Sequence, residues 1–356
     1  MLTLAAYFHA LDPFILRISG DLGIRWYGAA YITGFVVAYL ILQRLAKRRL
    51  ILIPESRVYD AMVWLVLGTI AGGRLGYALV YDQPLLYTFK PAFPFWSLLA
   101  INQGGMASHG GMVGLAVACW RISRGWPDDA GRVVGKAPVL HIMDCAALLA
   151  PFGIFFGRIA NFINGELLGK VVSPPGTPGP WWSVQYPQEL LDRLSSPERL
   201  IQTPEQWVRI DALSQTVAPD QSTGRRMEAL ARSYGRYQQE LAPLLSSRHP
   251  SQIYQAIAEG LILTLVLWLF WLKPRKAGLY TAFFLIVYGV GRVLTEFIRL
   301  PDAQLAVQRF AGLSRGQWLS MGMVLIGGLL LAWVQSRPRP RFGARPSPVP
   351  MPVPAP

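Results

Sequence analysis

The stretch QIYQAIAEGLILTLVLWLFWL, residues 252–272, is followed at once by the basic residues Lys273, Arg275 and Lys276, and then by a second apolar stretch at 278–298. An α-helix needs about 20 apolar residues to cross the hydrocarbon core of a bilayer, which is about 30 Å thick. The pattern therefore predicts two membrane-spanning helices joined by a short basic loop.

Similar apolar stretches recur along the whole chain. Hydrophobic residues make up 52% of the sequence and charged residues only 15%, a composition too apolar for an ordinary soluble protein. We therefore predict an all-α integral membrane protein with seven transmembrane helices. The third is interrupted by Asn102, Gln103 and several glycines, so a broken or re-entrant segment is the alternative there. The predicted spans are 24–42, 60–81, 98–120, 142–164, 252–272, 278–298 and 317–335.

The formal net charge of +14 comes from basic residues that cluster in alternate loops. Cytoplasmic loops carry an excess of Lys and Arg, so the N-terminus is predicted to be periplasmic and the C-terminus cytoplasmic. The charge is thus a topology signal in a multi-pass membrane protein, and nucleic-acid binding is excluded. The clusters are Arg44, Lys47, Arg48 and Arg49; Arg121, Arg124, Arg132 and Lys136; Lys273, Arg275 and Lys276; and Arg337, Arg339, Arg341 and Arg345.

Composition divides the chain into five segments. Residues 1–23 form a periplasmic interfacial segment, 24–164 contain spans one to four, and 252–335 contain spans five to seven. Residues 165–251 have the composition of a soluble protein and predict a small, mostly helical periplasmic subdomain. The proline-rich tail 336–356 is predicted to be disordered. The two cysteines, Cys119 and Cys145, are interpreted as packing residues.

Ionisable residues inside spans are costly and are candidate functional groups. In span six, Tyr288, Arg292 and Glu296 recur every four residues and share one helix face, with Arg299 one turn further on. A self-neutralising Arg292–Glu296 pair that only tolerates burial is the alternative interpretation.

Span four ends in a second polar cluster. Arg158 and Asn161 share a face, and Glu166 follows the end of the helix. A planar guanidinium with a neutral amide beside it suits phosphate binding. Capping of the helix end together with a packing arginine is the alternative.

Three further polar positions lie in the first three spans. His109 lies in MASHGGMVG and could carry a proton near neutral pH, or it could be a packing residue. Tyr27 opens span one, and Arg74 in span two either packs against the neighbouring glycines or extends outward to the interface. The predicted topology places all these groups in the outer half of the membrane, which indicates one shared pocket below the external headgroups.

The motif GRIANFINGELLG, at 157–169, contains the polar cluster at the end of span four. It resembles the signature of the prolipoprotein diacylglyceryl transferase family, and the resemblance covers about residues 12–170 and 248–335. The other matching motifs are IRWYG at 24–28, GGRLGY at 72–77, HGGMVG at 109–114, RHPSQIYQAIAEG at 248–260 and YGVGRVLTEFIRLPDAQ at 288–304.

The resemblance implies transfer of an sn-1,2-diacylglyceryl group from phosphatidylglycerol to the lipobox cysteine of a prolipoprotein signal peptide, forming a thioether and releasing glycerol 1-phosphate. It implies no metal and no cofactor. His109, Arg292 and Glu296 correspond to catalytic positions, and Asp144 to a structural one. The substrate-binding positions are Tyr27, Arg158, Asn161, Glu166, Gly169, Tyr288 and Arg299.

The sequence departs from the family pattern at Ala160, at Lys170 and in a longer external segment, 170–247. No functional residue is carried into that segment. An ion-coupled transporter is the alternative function, because buried Arg, Glu and His also mark translocation pathways. Transporters usually contain internal repeats and a midplane site, and the sequence shows neither.

Overall fold

The computed structural model describes residues 6–19, 22–91, 94–101, 104–191, 202–233, 235–300 and 309–344. Helices dominate the described part of the chain. They are α1 Trp26–Lys47, α2 Val58–Val80, α3 Ser108–Ser123, α4 Val139–Asn164, α5 Pro204–Val217, α6 Thr223–Ala231, α7 Gln238–Leu241, α8 Ser251–Trp271, α9 Leu279–Glu296 and α10 Arg315–Gln335.

The strands are two to six residues long. They are β1 Tyr7–Phe8, β2 Phe14–Ser19, β3 Leu22–Arg25, β4 Trp126–Pro127, β5 Val133–Val134, β6 Val171–Ser173, β7 Val184–Gln185, β8 Ser247–Arg248, β9 Arg275–Lys276, β10 Arg309–Phe310, β11 Leu313–Ser314 and β12 Arg341–Phe342.

Within the described part of the chain, six helices are long and apolar enough to cross a membrane: α1, α2, α4, α8, α9 and α10. The protein is therefore an all-α, multi-pass membrane protein. The chain folds into two compact units. The first comprises Met1–Gly34, Pro151–Leu263 and Leu285–Leu325, and the second comprises Phe35–Ala150, Thr264–Phe284 and Ile326–Pro356.

The predicted third span, 98–120, is not one continuous helix. A single 3-10 turn covers Ser97–Leu99, and α3 begins only at Ser108 and is 16 residues long. Gly104 and Gly105 have φ angles of +84° and +76°, values at which an α-helix cannot continue. Residues 102–103, which the sequence marked as the interruption, lie outside the described residues. The third span is therefore broken, which was the alternative prediction for this segment.

Arg74 donates hydrogen bonds to backbone carbonyl groups in this break between helices. Its guanidinium is buried, with 5% of the residue exposed, and donates to the carbonyl oxygens of Ser97, Leu98, Ala100, Gly104 and Gly105 at 2.5–3.3 Å. Non-helical backbone is tolerated at membrane depth only where the protein satisfies its polar groups. The outward-extending arginine considered from the sequence is therefore wrong, because the side chain points into the broken segment.

Helices α2 and α3 pack through glycines. A Cβ atom built on Gly68 would lie 2.6 Å from the carbonyl oxygen of Gly114, and one on Gly76 would lie 2.6 Å from the Cα of Gly110. A Cβ atom built on Gly72 would lie within 2.8 Å of backbone atoms of both Gly110 and Gly114. Small residues let two backbones approach and gain van der Waals contact, which is how helices associate in lipid.

The segment 165–251 combines helices with a small sheet. Strands β1, β7, β8 and β6 form a four-stranded sheet in that order, with β1 parallel to β7. A buried hydrophobic cluster joins α5, α6 and α7 to Phe8. The prediction of a mostly helical subdomain therefore omitted the sheet. Tyr7–Phe8 is part of this subdomain, although the sequence analysis assigned it to the separate segment 1–23. Part of the predicted helical region, 192–201, lies outside the described residues.

In the second unit, Asp144 caps α9. Its carboxylate accepts hydrogen bonds from the backbone N–H of Gly278 (2.6 Å) and from the N–H and hydroxyl of Thr281 (2.8 and 2.7 Å). A carboxylate at a helix N-terminus satisfies donors that the helix leaves unpaired and interacts favourably with its dipole. These contacts agree with the structural role expected for Asp144.

The predicted disordered tail is wrong for its first residues. Strand β12, Arg341–Phe342, pairs with β9, and Phe342 is buried against the ring of His141. An aromatic residue within the basic, proline-rich segment supplies the apolar surface that the overall composition lacks. Residues 345–356 lie outside the described part. Cys119 and Cys145 are both buried free thiols, as expected of packing residues.

We expect Gly72→Ala to lower the midpoint of thermal unfolding in detergent, because the added methyl group must displace the backbone of α3. Overpacking of this kind costs about 1–3 kcal/mol. The matched control is Gly328→Ala in α10, where a Cβ atom meets nothing within 4 Å and the midpoint should stay level or rise. Equal midpoints for the two variants would contradict close packing of α2 and α3.

Candidate functional site

An ion pair buried among three helices forms the centre of the first unit. Arg158 on α4 donates from Nε and Nη2 to Oε2 of Glu259 on α8, at 3.2 and 2.8 Å. Glu259 is fully buried and the Arg158 side chain is 17% exposed. A buried charge without a partner is strongly destabilising, so each of these two groups requires the other.

Helix α9 supports the same pair. The hydroxyl of Thr295 donates to Oε1 of Glu259 at 3.1 Å, so both carboxylate oxygens are engaged. Tyr288, also on α9, is hydrogen-bonded to Arg158. The pair therefore connects α4, α8 and α9 through side chains.

Helix α8 departs from α-helical geometry at Glu259. Residues Ala256–Ile262 form a π-helical segment, and such segments occur frequently at functional sites. Gly260 lies next to Glu259, and a Cβ atom there would lie 2.7 Å from the Cβ of Phe155 on α4. This close approach of α8 to α4 lets the Glu259 carboxylate reach Arg158.

A second ion pair lies at the end of α9. Nη1 of Arg292 is 2.6 Å from Oε2 of Glu296, and Nη1 of Arg299 is 3.7 Å from the same oxygen. The hydroxyl of Ser314 donates to Oε1 of Glu296 at 3.0 Å. The self-neutralising pair considered from the sequence thus forms, but it belongs to a larger group that also includes Arg299 and Ser314.

A third cluster surrounds Glu166. Tyr27 donates its hydroxyl proton to Oε2 of Glu166 at 3.2 Å, and Asn161 donates from Nδ2 to the Tyr27 oxygen and, at 3.3 Å, to the same carboxylate. Asn164 donates to Oε1 at 3.4 Å. The sequence placed Asn161 and Glu166 at the end of α4, and the structure adds Tyr27 from α1 to them.

Gly169 contributes backbone rather than a side chain. It forms an antiparallel bridge with Arg299, and a Cβ atom at this position would collide with the carbonyl group of His249. Its carbonyl oxygen accepts from Nη1 of Arg248 at 3.2 Å. Any side chain here would therefore displace the backbone at His249 from the segment that carries Gly169.

Arg248 anchors this backbone to the sheet. Its Nε lies 2.7 Å from Oε2 of Glu189, and both side chains are at most 5% exposed. Glu189 also accepts from the backbone N–H and the hydroxyl of Ser246 and from Gln202 Nε2. The pair therefore ties the segment around Glu189 to Gly169, and both carboxylate oxygens of Glu189 are hydrogen-bonded.

Two titratable groups beside this anchor are shifted toward their neutral forms. Burial, assisted by the charge of Lys170, lowers the pKa of His249, whose ring stacks on Trp182. Burial likewise raises the pKa of Tyr186, whose hydroxyl donates to Gln252 Oε1 at 3.1 Å. Both groups are therefore uncharged around neutral pH.

The predicted site residues divide between the two units. Nine of the ten lie in the first unit and contact one another or a shared partner: Tyr27, Arg158, Asn161, Glu166, Gly169, Tyr288, Arg292, Glu296 and Arg299. His109 belongs to the second unit, as the second residue of α3, and is exposed. Its grouping with the others stays a prediction.

Sequence reasoning missed Glu259. The residue lies inside the predicted span 252–272, so the rule that selected the other buried ionisable groups applied to it equally. With Glu259 included, the described cluster contains Arg158, Arg292 and Arg299 against Glu166, Glu259 and Glu296, so its formal charges cancel.

The fold and this cluster together define a multi-pass membrane protein with a buried, charge-balanced ionisable site. The profile of the family described as prolipoprotein diacylglyceryl transferase matches residues 13–333, and the chain belongs to that family.

Curated relatives agree with the family match. The chain is 38% identical over 345 residues to the phosphatidylglycerol–prolipoprotein diacylglyceryl transferase of Bdellovibrio bacteriovorus, covering 92% of this chain and 94% of the relative. The enzymes of the same name from Pseudomonas fluorescens and Neisseria gonorrhoeae are each 34% identical, covering 93% and 90% of this chain and 96% and 94% of the relatives. The similarity thus extends over nearly the full length of this chain and of each relative.

We expect Arg248→Met to destabilise the protein by about 3–5 kcal/mol, because Glu189 would remain buried without its cation. The measurement is denaturant unfolding in detergent micelles. Arg132→Met is the control: Arg132 is also ion-paired to an aspartate, but its side chain is 77% exposed, so its removal should leave stability unchanged. An equal loss of unfolding free energy in Arg248→Met and Arg132→Met would contradict the anchoring role of Arg248.

Proposed function

We propose that this protein transfers the sn-1,2-diacylglyceryl group of phosphatidylglycerol to the lipobox cysteine thiol of prolipoprotein signal peptides. The products are a thioether and glycerol 1-phosphate. The observation that carries the proposal is the family match over residues 13–333, which contains every predicted site residue. The names of the relatives give the same donor and acceptor, and they do not favour the ion-coupled transporter.

The reaction is a displacement at the glyceryl carbon. The thiol loses its proton, its sulfur forms the new C–S bond, and the C–O bond to the phosphate breaks with its electron pair leaving on the phosphate oxygen. Negative charge therefore develops first on sulfur and then on the leaving phosphate. Buried guanidinium groups stabilise such charge more effectively than water does, since they are already oriented in a medium of low dielectric constant.

Arg158 is proposed to bind the donor phosphate, and Arg292 to stabilise charge on the leaving phosphate or the incoming thiolate. Both side chains keep some exposure, 17% and 14%, whereas Glu259 has none. Glu259 would hold one edge of the Arg158 guanidinium and fix its orientation. Because the cluster is formally neutral, the phosphate must share arginines that already have carboxylate partners.

The remaining roles follow the family positions. His109 is the proposed proton acceptor, with Glu296 and Glu166 orienting the reacting groups. Tyr27, Asn161 and Glu166 form a hydrogen-bonded group that can bind polar parts of a substrate. Gly169, Tyr288 and Arg299 complete the substrate site, which requires no metal or cofactor in this proposal.

We propose seven membrane passages, with the N-terminus periplasmic and the C-terminus cytoplasmic. Helix α3 covers about 24 Å at 1.5 Å per residue. Residues 104–107, before this helix, are non-helical, and Arg74 satisfies the carbonyl groups of Gly104 and Gly105. These contacts support a third passage made of the non-helical segment together with α3. All four basic loops lie in the second unit, as expected if they share the cytoplasmic side.

This orientation places the site in the periplasmic half of the bacterial inner membrane. Residues 165–251 are then the periplasmic subdomain that a secreted prolipoprotein would meet. The partners are phosphatidylglycerol in the surrounding lipid and the signal peptide of the prolipoprotein. Nucleic acid has no part in the proposal, because the excess basic residues lie in the cytoplasmic loops.

The direct test uses the purified protein, phosphatidylglycerol labelled in its acyl chains and a peptide with a lipobox cysteine. We expect label to appear on the thiol. Arg158→Ala and Arg292→Ala should each lower the rate by about 10²–10³-fold, the effect of removing one preorganised charge stabiliser. Arg132→Ala, in an exposed ion pair, should retain the wild-type rate. Full activity in both site variants would refute the assigned roles.

Topology is testable by cysteine labelling, because both native thiols are buried. Asp220→Cys lies on the exposed surface of the proposed periplasmic subdomain, and Asp129→Cys on an exposed proposed cytoplasmic loop. A membrane-impermeant maleimide applied to spheroplasts should label the first variant and should label the second only after lysis. The reverse pattern would overturn the orientation.

A further inference from the structure

Gln255 on α8 is a buried polar residue that the roles assigned so far do not explain. It is completely buried, and among the described residues neither Nε2 nor Oε1 of its amide has a hydrogen-bond partner. More than nine-tenths of buried polar groups in proteins are hydrogen-bonded, and an unsatisfied one is costly. An amide that lacks both its donor and its acceptor contact therefore requires an explanation.

Its neighbours along α8 belong to the site. Gln252, three residues earlier, donates to the carbonyl oxygen of Glu166, and Glu259, four residues later, pairs with Arg158. Residues three and four apart lie on one helix face, so Gln255 lies on the face that meets both groups. The π-helical segment begins at the next residue, Ala256. Both flanking side chains are hydrogen-bonded or ion-paired, whereas neither polar atom of the Gln255 amide is.

The chemistry of the amide restricts its missing partner. An amide presents an N–H donor and a carbonyl acceptor side by side. A phosphate oxygen only accepts and an ammonium group only donates, so either would leave one half of the amide unsatisfied. A hydroxyl group both donates and accepts, so it can contact both Nε2 and Oε1 of Gln255.

We propose that Gln255 binds a hydroxyl group of the donor lipid's polar headgroup and thereby selects a hydroxyl-bearing headgroup. This inference rests on the proposed function, in which Arg158 holds the donor phosphate. The headgroup hydroxyls of phosphatidylglycerol lie only a few bonds beyond that phosphate, on the side of the leaving group. Since the amide is completely buried, contact with the headgroup requires the Gln255 side chain to turn toward the Arg158–Glu259 pair.

The consequence is discrimination by a single functional group. A site built to hydrogen-bond a hydroxyl rejects an analogue without it strongly, because the buried amide then remains unsatisfied in the complex. Phosphatidylpropanol is the matched analogue, since it has the same phosphodiester and the same acyl chains but no headgroup hydroxyl. The two lipids have similar intrinsic reactivity, so a difference between them measures recognition.

The experiment compares kcat/KM for the two donors, with a lipobox peptide as acceptor, in the wild type, Gln255→Met and Gln252→Met. We expect the wild type to prefer phosphatidylglycerol by about tenfold or more, the size of effect expected for an unsatisfied buried polar group. Gln255→Met, of similar length, should lose that preference by reacting more slowly with phosphatidylglycerol alone. Gln252→Met removes structural hydrogen bonds and should slow both donors equally.

Each possible result either supports or overturns the proposal. A wild type that uses both lipids equally, or a Gln255→Met variant slowed equally with both, would overturn it and assign the amide to a buried water or to packing. A wild type that transfers from neither lipid would instead refute the proposed function. Thermal unfolding in detergent checks folding, and Gln255→Met should be at least as stable as the wild type, since an unsatisfied amide is removed.

Discussion

The organisation of the first unit depends on the ion pair between Arg158 and Glu259. A guanidinium and a carboxylate removed from water each lose several kcal/mol of solvation, and only close contact with further hydrogen bonds restores it. Thr295 and Tyr288 supply those further contacts from α9. Displacement of α4 or α8 would leave a buried charge unpaired, and displacement of α9 would remove the supporting hydrogen bonds, so the three helices must keep one relative position. A rigid, charge-balanced site of this kind is what stabilisation of a developing phosphate charge requires.

Two other arginines satisfy buried backbone carbonyl groups, much as Arg158 satisfies a buried carboxylate. Arg74 satisfies five carbonyl groups of the broken segment before α3, and Arg248 joins the carbonyl of Gly169 to the buried carboxylate of Glu189. Arginine suits this task because its planar fork offers five donors and remains charged. Each of these arginines holds irregular chain in a defined position, so function and stability are difficult to separate by deleting the whole side chain.

The helices and most of the site were predictable from the sequence for a physical reason. The apolar runs needed to cross lipid are long, and an ionisable residue within such a run stands out against them, as Arg158, Arg292 and Glu296 do. What could not be predicted depends on contacts distant in sequence. The break before α3 is stable because of Arg74 on another helix, and β1 pairs with β7, which lies more than 170 residues later in the chain. Glu259 was within reach of the same rule, but its partner Arg158 lies 101 residues away.

The claim that the Arg158–Glu259 pair organises the site is tested most directly by a double-mutant cycle on stability. The four proteins are the wild type, Arg158→Met, Glu259→Leu and the double variant, measured by denaturant unfolding in detergent. If the pair is coupled as described, each single variant loses about 3–5 kcal/mol, and the double variant is more stable than either. Additive losses, with the double variant the least stable of the four, would mean that the two charges do not depend on each other.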